Sequence, residues 1–436
     1  MKRMLCWGLL LVMLVGVVAF GTGGALAEDA PLLVWVAGAL VSSADQKLPQ
    51  EEWVINKLAR AFEAENLGVR VEIAFFSDQI AMTQMFKATA SGEDAPDIVN
   101  VWAGQQLFEL KDILVDIKDM VPQEDRDNIL GWDIMSLDFK EGGPVLGYPA
   151  SGNEVCGFFY NRQVLAACGL DYDANPPKTV AALMADMKKI KDAGYLPLAA
   201  GDNGWGQALF TAYASWWVQV SGSERVASNS QGITKFAEDE GFLKAMQAAV
   251  DMYNEGYINV DYATIPNELE LFLEGNAALL ATGNWNTDDA VTTLGEENVG
   301  FLMPPDIEEN APVKGTCIGG PGQVLAISKT CKDPDTALRF LSFLSNKENM
   351  AQIIRSQSKL TLRRDISAED LGIGDAGIMR QEFDAALKYV FWADNSMVPD
   401  VNAQVQKLSP LALTGKMTVA EFAAELDKTA AEAAAQ

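Results

Sequence analysis

Two periodicities dominate the first hundred residues of this chain. Leu32 to Val36 is a run of apolar residues short enough for a strand buried on both faces. Trp53, Leu58, Ala59 and Phe62 then recur at helical spacing within Glu52 to Ala64. Val69 to Phe75 alternates as a strand does, and Gln79 to Ala90 predicts a second helix. Ala95-Pro96-Asp97 breaks that helix ahead of another strand, Ile98 to Val101. The order β-α-β-α-β predicts an open, largely parallel sheet.

The pattern is irregular up to Val145–Tyr148 and then resumes. Val155 to Tyr160 predicts a strand, and Asn161 to Cys168 a short helix stopped by Gly169. Asn175-Pro176-Pro177-Lys178-Thr179 is a loop that ends on an N-cap threonine and opens a helix reaching about Asp192. Helices near 206–220 and 241–255 follow, then strands at 277–282, Val299 to Met303 and Gln323 to Ile327. Helices at 334–345 and 347–356 lead into a helical C-terminal third. Trp216 and Trp217 lie on a helical pattern and read as core.

The segment LFLEGNAALLATGNWN, residues 271 to 286, divides in two. A turn at Gly275 feeds a buried strand, and Gly283 lets the chain leave that strand tightly. Asn284, Trp285 and Asn286 then form a polar, aromatic end.

With 436 residues the chain exceeds what one simple core holds, so two domains are expected. Strand-helix units occur before residue 150, from 155 to 303 and after 320, with no Pro/Gly/Ser-rich linker between them. Lobes assembled from non-adjacent segments account for this order. Open α/β sheets bind ligands beyond their C-terminal strand ends, so two facing lobes form a cleft.

The first 27 residues stand apart. Lys2 and Arg3 precede an uncharged apolar stretch, Trp7 to Phe20, and Ala25-Leu26-Ala27 matches an A-x-A cleavage site. This is the pattern of a secretory signal peptide cleaved near Ala27, with a periplasmic or extracellular destination. Removing the segment changes the net charge from −27 to 31 − 60 = −29. So acidic a chain lacks the basic footprint of a nucleic-acid or anionic-membrane partner.

The absence of histidine excludes Ser-His-Asp and Cys-His nucleophile pairs and histidine metal ligands. There is no C-x-x-C, no phosphate loop and no G-x-G-x-x-G after a strand, so neither a metal nor a cofactor is expected. Cys156, Cys168, Cys317 and Cys331 allow three pairings, of which 156 with 168 and 317 with 331 is preferred.

Several segments together resemble the extracellular solute-binding proteins of ATP-driven importers, in the sugar-binding branch that includes maltose-binding protein. APDIVNVWAG (95–104) resembles the family's A-P-D strand and binding loop. GYPASGNEVCGFFYNRQVLAACGL (147–170) resembles its Y-P…Y-N crossover, and PPKTV (176–180) its P-P-K-T-W helix start with valine for tryptophan. FLEGNAALLATGNW (272–285) resembles its G-x-W strand, and ALRFLSFLSNKENMAQI (337–353) and LTGKMTVAEFAAEL (413–426) its late helices. The resemblance implies the α/β periplasmic-binding-protein fold, with two lobes joined by hinge-crossing strands. It places lobe one at 28–153 plus 325–365, and lobe two at 154–320 plus 366–436. It implies no catalysis, a carbohydrate ligand, a membrane permease partner and a monomer.

Carbohydrate recognition needs aromatic faces for the C–H side of a sugar ring and amides or carboxylates for its hydroxyls. By position and resemblance the foremost candidate is Trp285, with Asn284 and Asn286 beside it. Trp205 lies in a glycine-rich loop with Asp202, Asn203 and Gln207. Trp102 and Gln105 follow the strand 98–101, and Glu154 matches a hinge carboxylate of the family. Trp392 with Asp394 resembles a late cleft aromatic, while Trp35 and Asp78 qualify only as residues at strand ends. For each, packing in the core or a structural hydrogen bond is the alternative. A secreted glycoside hydrolase is the alternative enzyme, requiring two carboxylates roughly 5–10 Å apart; a ligand-presenting sensor of the same fold is the other.

Overall fold

The computed structural model describes residues 30–435 except 39, 43–44, 91, 93, 137–142, 151, 202–206, 358 and 389–391, and describes residues 207–212 by backbone only. The signal-peptide reading of residues 1–27 lies outside this range. The strands are β1 (Leu32–Val36), β2 (Val71–Phe75), β3 (Ile98–Trp102), β4 (Asn153–Asn161), β5 (Leu196–Ala199), β6 (Ala277–Gly283), β7 (Val299–Leu302), β8 (Gly319–Pro321) and β9 (Gln323–Ile327).

They form two sheets. The first has the order β2-β1-β3-β9. Its first three strands are parallel, as the β-α-β-α-β order predicts, and β9 closes it antiparallel to β3 with Ile98 opposite Ile327. The second runs β5-β6-β4-β7, with β8 attached to β4. This sheet is mixed, for β5 and β6 are parallel while β4 runs against both β6 and β7. β5 and β8 are invisible to periodicity. β5 contains Pro197 and lies at a sheet edge, where a missing N–H is tolerated. β8 is Gly-Gly-Pro, a turn by composition, made extended by its pairing with β4.

Local chemistry sets the helix starts. Thr179 caps the helix Val180–Asp192 by accepting from Ala182 N–H at 3.3 Å. Asp333 caps Pro334–Ser345, where the proline occupies the first turn. Gly275 supplies the predicted turn before β6 with φ +74°. The helix expected near 206–220 runs Gln207–Ser230, broken at Gly222 by φ 74° and ψ 160°. Trp216 and Trp217 are fully buried, their indole N–H groups donating to Pro305 O and Asp239.

The chain crosses between the sheets in three places. β4 starts beside residue 360, since Asn153 N–H donates to Leu360 O at 2.7 Å. β8 runs into β9 through Gly322, passing from one sheet to the other. The segment 359–363 returns to the first sheet's side, where Arg363 bridges to Ile129. There Arg363, 1% exposed, donates to Asp125 Oδ1 at 3.2 Å, while Asp125 also accepts from Tyr148 and Ser342.

All four described cysteines are free thiols, so the preferred pairings do not form. β4 carries the chain from Cys156 to Asn161 in extended form before the helix Arg162–Ala167 that Cys168 ends, which takes the two apart. Cys317 lies in a different buried cluster from Cys331 and sits instead beside Cys156, whose backbone amide it meets.

Candidate functional site

The ends of β3, β4 and β6 meet where the crossings occur. Register places Gly283, the last residue of β6, opposite Cys156 of β4. The chain then turns through Asn284–Asn286, a single turn of 3-10 helix. Asn284 Oδ1 accepts from Val155 N–H at 3.1 Å, and its Nδ2 donates to Asn153 O at 3.4 Å. One amide thus clasps the backbone on both sides of Glu154. Asn286 Nδ2 donates to Thr282 Oγ1 at 2.8 Å, which closes the turn on β6. With each amide bonded to the fold, the turn holds out Trp285, 43% exposed.

Glu154 faces the other crossing strand. It pairs with Gly320 across β4 and β8, and a Cβ on Gly322 would come within 2.7 Å of its Oε2. The carboxyl therefore lies on the bare backbone of Gly322. Gly322 O in turn accepts from Ala103 N–H at 3.1 Å, which fixes the loop after β3. Trp102, half-buried and opposite Gln323, ends β3 before that loop, and Gln105 after it opens the helix Gln105–Phe108. Gly104 between them has φ +72°, and an added Cβ would collide with Asn395 O at 2.2 Å. Glu154, the loop 102–105 and the segment 394–395 thus form one neighbourhood at the sheet junction, and Trp285 adjoins it through Asn284.

The electrostatics are those of a desolvated cluster. Burial pushes the Glu154 carboxyl above the usual carboxylate range, opposed by Lys359 and reinforced by Asp394. Burial raises Asp394 to about 6, opposed by its own backbone amide and that of Asn395, and its Oδ1 has no protein partner. Lys359 is lowered by burial and held partly up by Glu154. Lys359 carries no sequence signal, being a lone lysine after a helix. It arrives because residue 360 pairs with Asn153, and its side chain lies on Gly152.

The remaining candidates lie as follows. Trp392 is buried, with its indole Nε1 unpartnered. Trp35 is 7% exposed and packs on Phe76 with ring centroids 5.0 Å apart. Asp78 caps the helix Gln79–Thr89, accepting from Ile80 and Ala81 N–H, so its position at a strand end reflects a helix start. Trp205, Asp202 and Asn203 lie outside the described residues, and Gln207 starts a helix of which only the backbone is described there. Among the described residues no group of three or more Cys, Asp or Glu is arranged to hold a metal ion.

The sequence pattern of the family described as bacterial extracellular solute-binding protein matches residues 48–351. Among solved structures, a chitin oligosaccharide binding protein superposes with a TM-score of 0.72 at 19% identity, covering 93% of this chain and 100% of the other. The sugar-binding protein MalE from Xanthomonas citri gives 0.73 at 19% identity, over 93% and 98% of the two chains. The bacterial solute receptor AcbH, described as exclusive for β-D-galactopyranose, gives 0.74 at 16% identity over 93% and 98%. No curated protein matches the sequence.

Proposed function

Because the chain belongs to the bacterial extracellular solute-binding proteins, whose pattern spans 304 of its 436 residues (48 to 351), we propose that it captures a carbohydrate at the junction of its two sheets and delivers it to the membrane permease of an ATP-driven importer. The observation that carries this reading is the proximity of an exposed, braced aromatic, Trp285, to the half-buried, desolvated carboxyl of Glu154, on whose two sides Asn284 is bonded. An indole face takes the C–H side of a sugar ring, and a desolvated carboxyl accepts or shares hydrogen bonds with its hydroxyls. The names of the structural neighbours, oligosaccharide- and sugar-binding proteins, point the same way.

In this reading the lobes are 28–153 plus 325–365 and 154–320 plus 366–436. The mature protein, freed of residues 1–27, acts as an exported monomer. Ligand first held by one lobe gains contacts from the other and shifts the open–closed equilibrium toward closure. Trp285 and Glu154 reach it from the second sheet. Trp102 and Gln105 reach it from the first, and Asp394 and Trp392 from the segment beside Gly104. Trp205, Asp202, Asn203 and Gln207, from the glycine-rich segment of the sequence, complete the proposed set. The protein performs no chemistry on its ligand.

A panel of mono-, di- and oligosaccharides followed by calorimetry tests the reading. Stoichiometric binding with the sugar recovered intact is the expected outcome, together with compaction in small-angle scattering at saturation. Steady hydrolysis of a bound sugar, or no binding across the panel, would sink it.

A further inference from the structure

Gly283 ends β6 with φ −121° and ψ 175°, an extended conformation that any residue adopts. The tight exit from the strand is therefore not what calls for glycine here; space is. A Cβ built on Gly283 would lie 2.2 Å from Cζ3, 2.4 Å from Cη2 and 2.6 Å from Cε3 of Trp285, closer than to any other atom outside residues 282–284. These are three consecutive atoms of the six-membered ring, with Cζ3 in the middle. A point in the ring plane beyond Cζ3 would be much farther from the two flanking atoms than from Cζ3 itself. Near-equal distances put the point over the ring, so the benzo half of the indole lies face down on Gly283.

The turn beneath the ring is fixed independently. Asn284 is tied to β4 on both sides of Glu154, and Asn286 to Thr282. What freedom remains belongs to the Trp285 side chain. Its one buried face rests on Gly283, so its 43% exposure belongs to the opposite face and the edges.

We propose that Gly283 is a positioning residue for Trp285, its missing side chain allowing the indole to lie on the strand end as a platform with one free face. Such a platform takes one sugar ring, on one side only, at a height and tilt set by the backbone of residue 283. Any side chain at 283 tips the ring off that seat and redirects the stacking surface. The ligand part of this inference rests on the carbohydrate reading; the orientation part does not.

The test is a double-mutant cycle of Gly283→Ala and Trp285→Ala, read in three ways. Without ligand, Gly283→Ala changes the Trp285 contribution to near-UV circular dichroism, obtained by subtracting the Trp285→Ala spectrum. In thermal unfolding, Gly283→Ala lowers the midpoint in the native background and not in the Trp285→Ala background. With the tightest sugar of the panel, Gly283→Ala weakens binding roughly tenfold, and by less than about twofold once Trp285 is gone. Losses that multiply independently, or an unchanged spectrum and affinity, overturn the proposal. Should Gly283→Ala fail to fold, folding of the double variant supports it and failure of both overturns it. If no sugar binds, the carbohydrate reading fails alone, and the spectrum and unfolding cycle still decide the orientation.

Discussion

Glu382 is hydrogen-bonded to Thr287, the residue that follows the Asn284–Asn286 turn, and offers a quantitative test of the structure. It is 1% exposed on the helix Ile378–Ala386, and its Oε1 accepts from Thr287 Oγ1 at 2.5 Å. Burial raises the carboxyl from 4.5 to about 8, with Asp288 adding and Thr287 opposing. The native state therefore holds this proton more tightly than the unfolded chain does. Stability from the protonated group is fully present below pH 4.5 and is lost as pH rises to about 8. The difference, 8 − 4.5 = 3.5 units, corresponds to an upper figure of about 5 kcal/mol at 1.36 kcal/mol per unit. Glu382→Gln keeps the shape and an acceptor for Thr287 but cannot ionise. Urea unfolding from pH 5 to pH 9, followed by tryptophan fluorescence, is the assay. The native protein should lose several kcal/mol across that range on this account, and the variant should lose correspondingly less while matching it near pH 5. Parallel profiles for the two proteins would refute the assignment of a neutral, buried Glu382.

Three further outcomes are expected. Trp285→Ala removes the stacking face and should weaken sugar binding roughly tenfold, about 1.4 kcal/mol by calorimetry, with little change in unfolding midpoint. Gly322→Ala places a methyl 2.7 Å from Glu154 Oε2, so it should displace the carboxyl and lower affinity; binding equal to that of the native protein would show that Glu154 has no part in it. Arg363→Met strips the buried Asp125 of its ion pair and should cost about 3–5 kcal/mol in urea unfolding, whereas a change under about 1 kcal/mol would mean the pair is dispensable.

The fold was legible wherever a single segment carries its own period. β1, β9 and the helix Pro334–Ser345 begin and end where the apolar pattern places them. β8 was hidden because Gly-Gly-Pro is extended only through its partner β4, and β5 because four residues interrupted by proline carry no period. In the site, Trp285 was recognisable from an aromatic held between amides after a buried strand. The amides were read as ligand contacts; that Asn284 also braces the turn was not legible, since a bond to backbone 131 residues distant leaves no local trace, while Asn286 bonds Thr282 nearby. The same is true of Lys359, which only strand pairing brings to Glu154. Gly283 was legible as a glycine with a purpose, but its purpose is to seat a ring two residues ahead.

The closure of the first sheet bears on how such a chain is made. Ile98 finds its partner at Ile327, 327 − 98 = 229 residues later. During synthesis β3 thus waits, with one edge unpaired, until about three-quarters of the polypeptide has emerged. A contact of such range is slow to form, because loop closure must precede any gain from pairing. For a member of an exported family this delay is useful, since a chain not yet folded is still able to thread through a translocation channel.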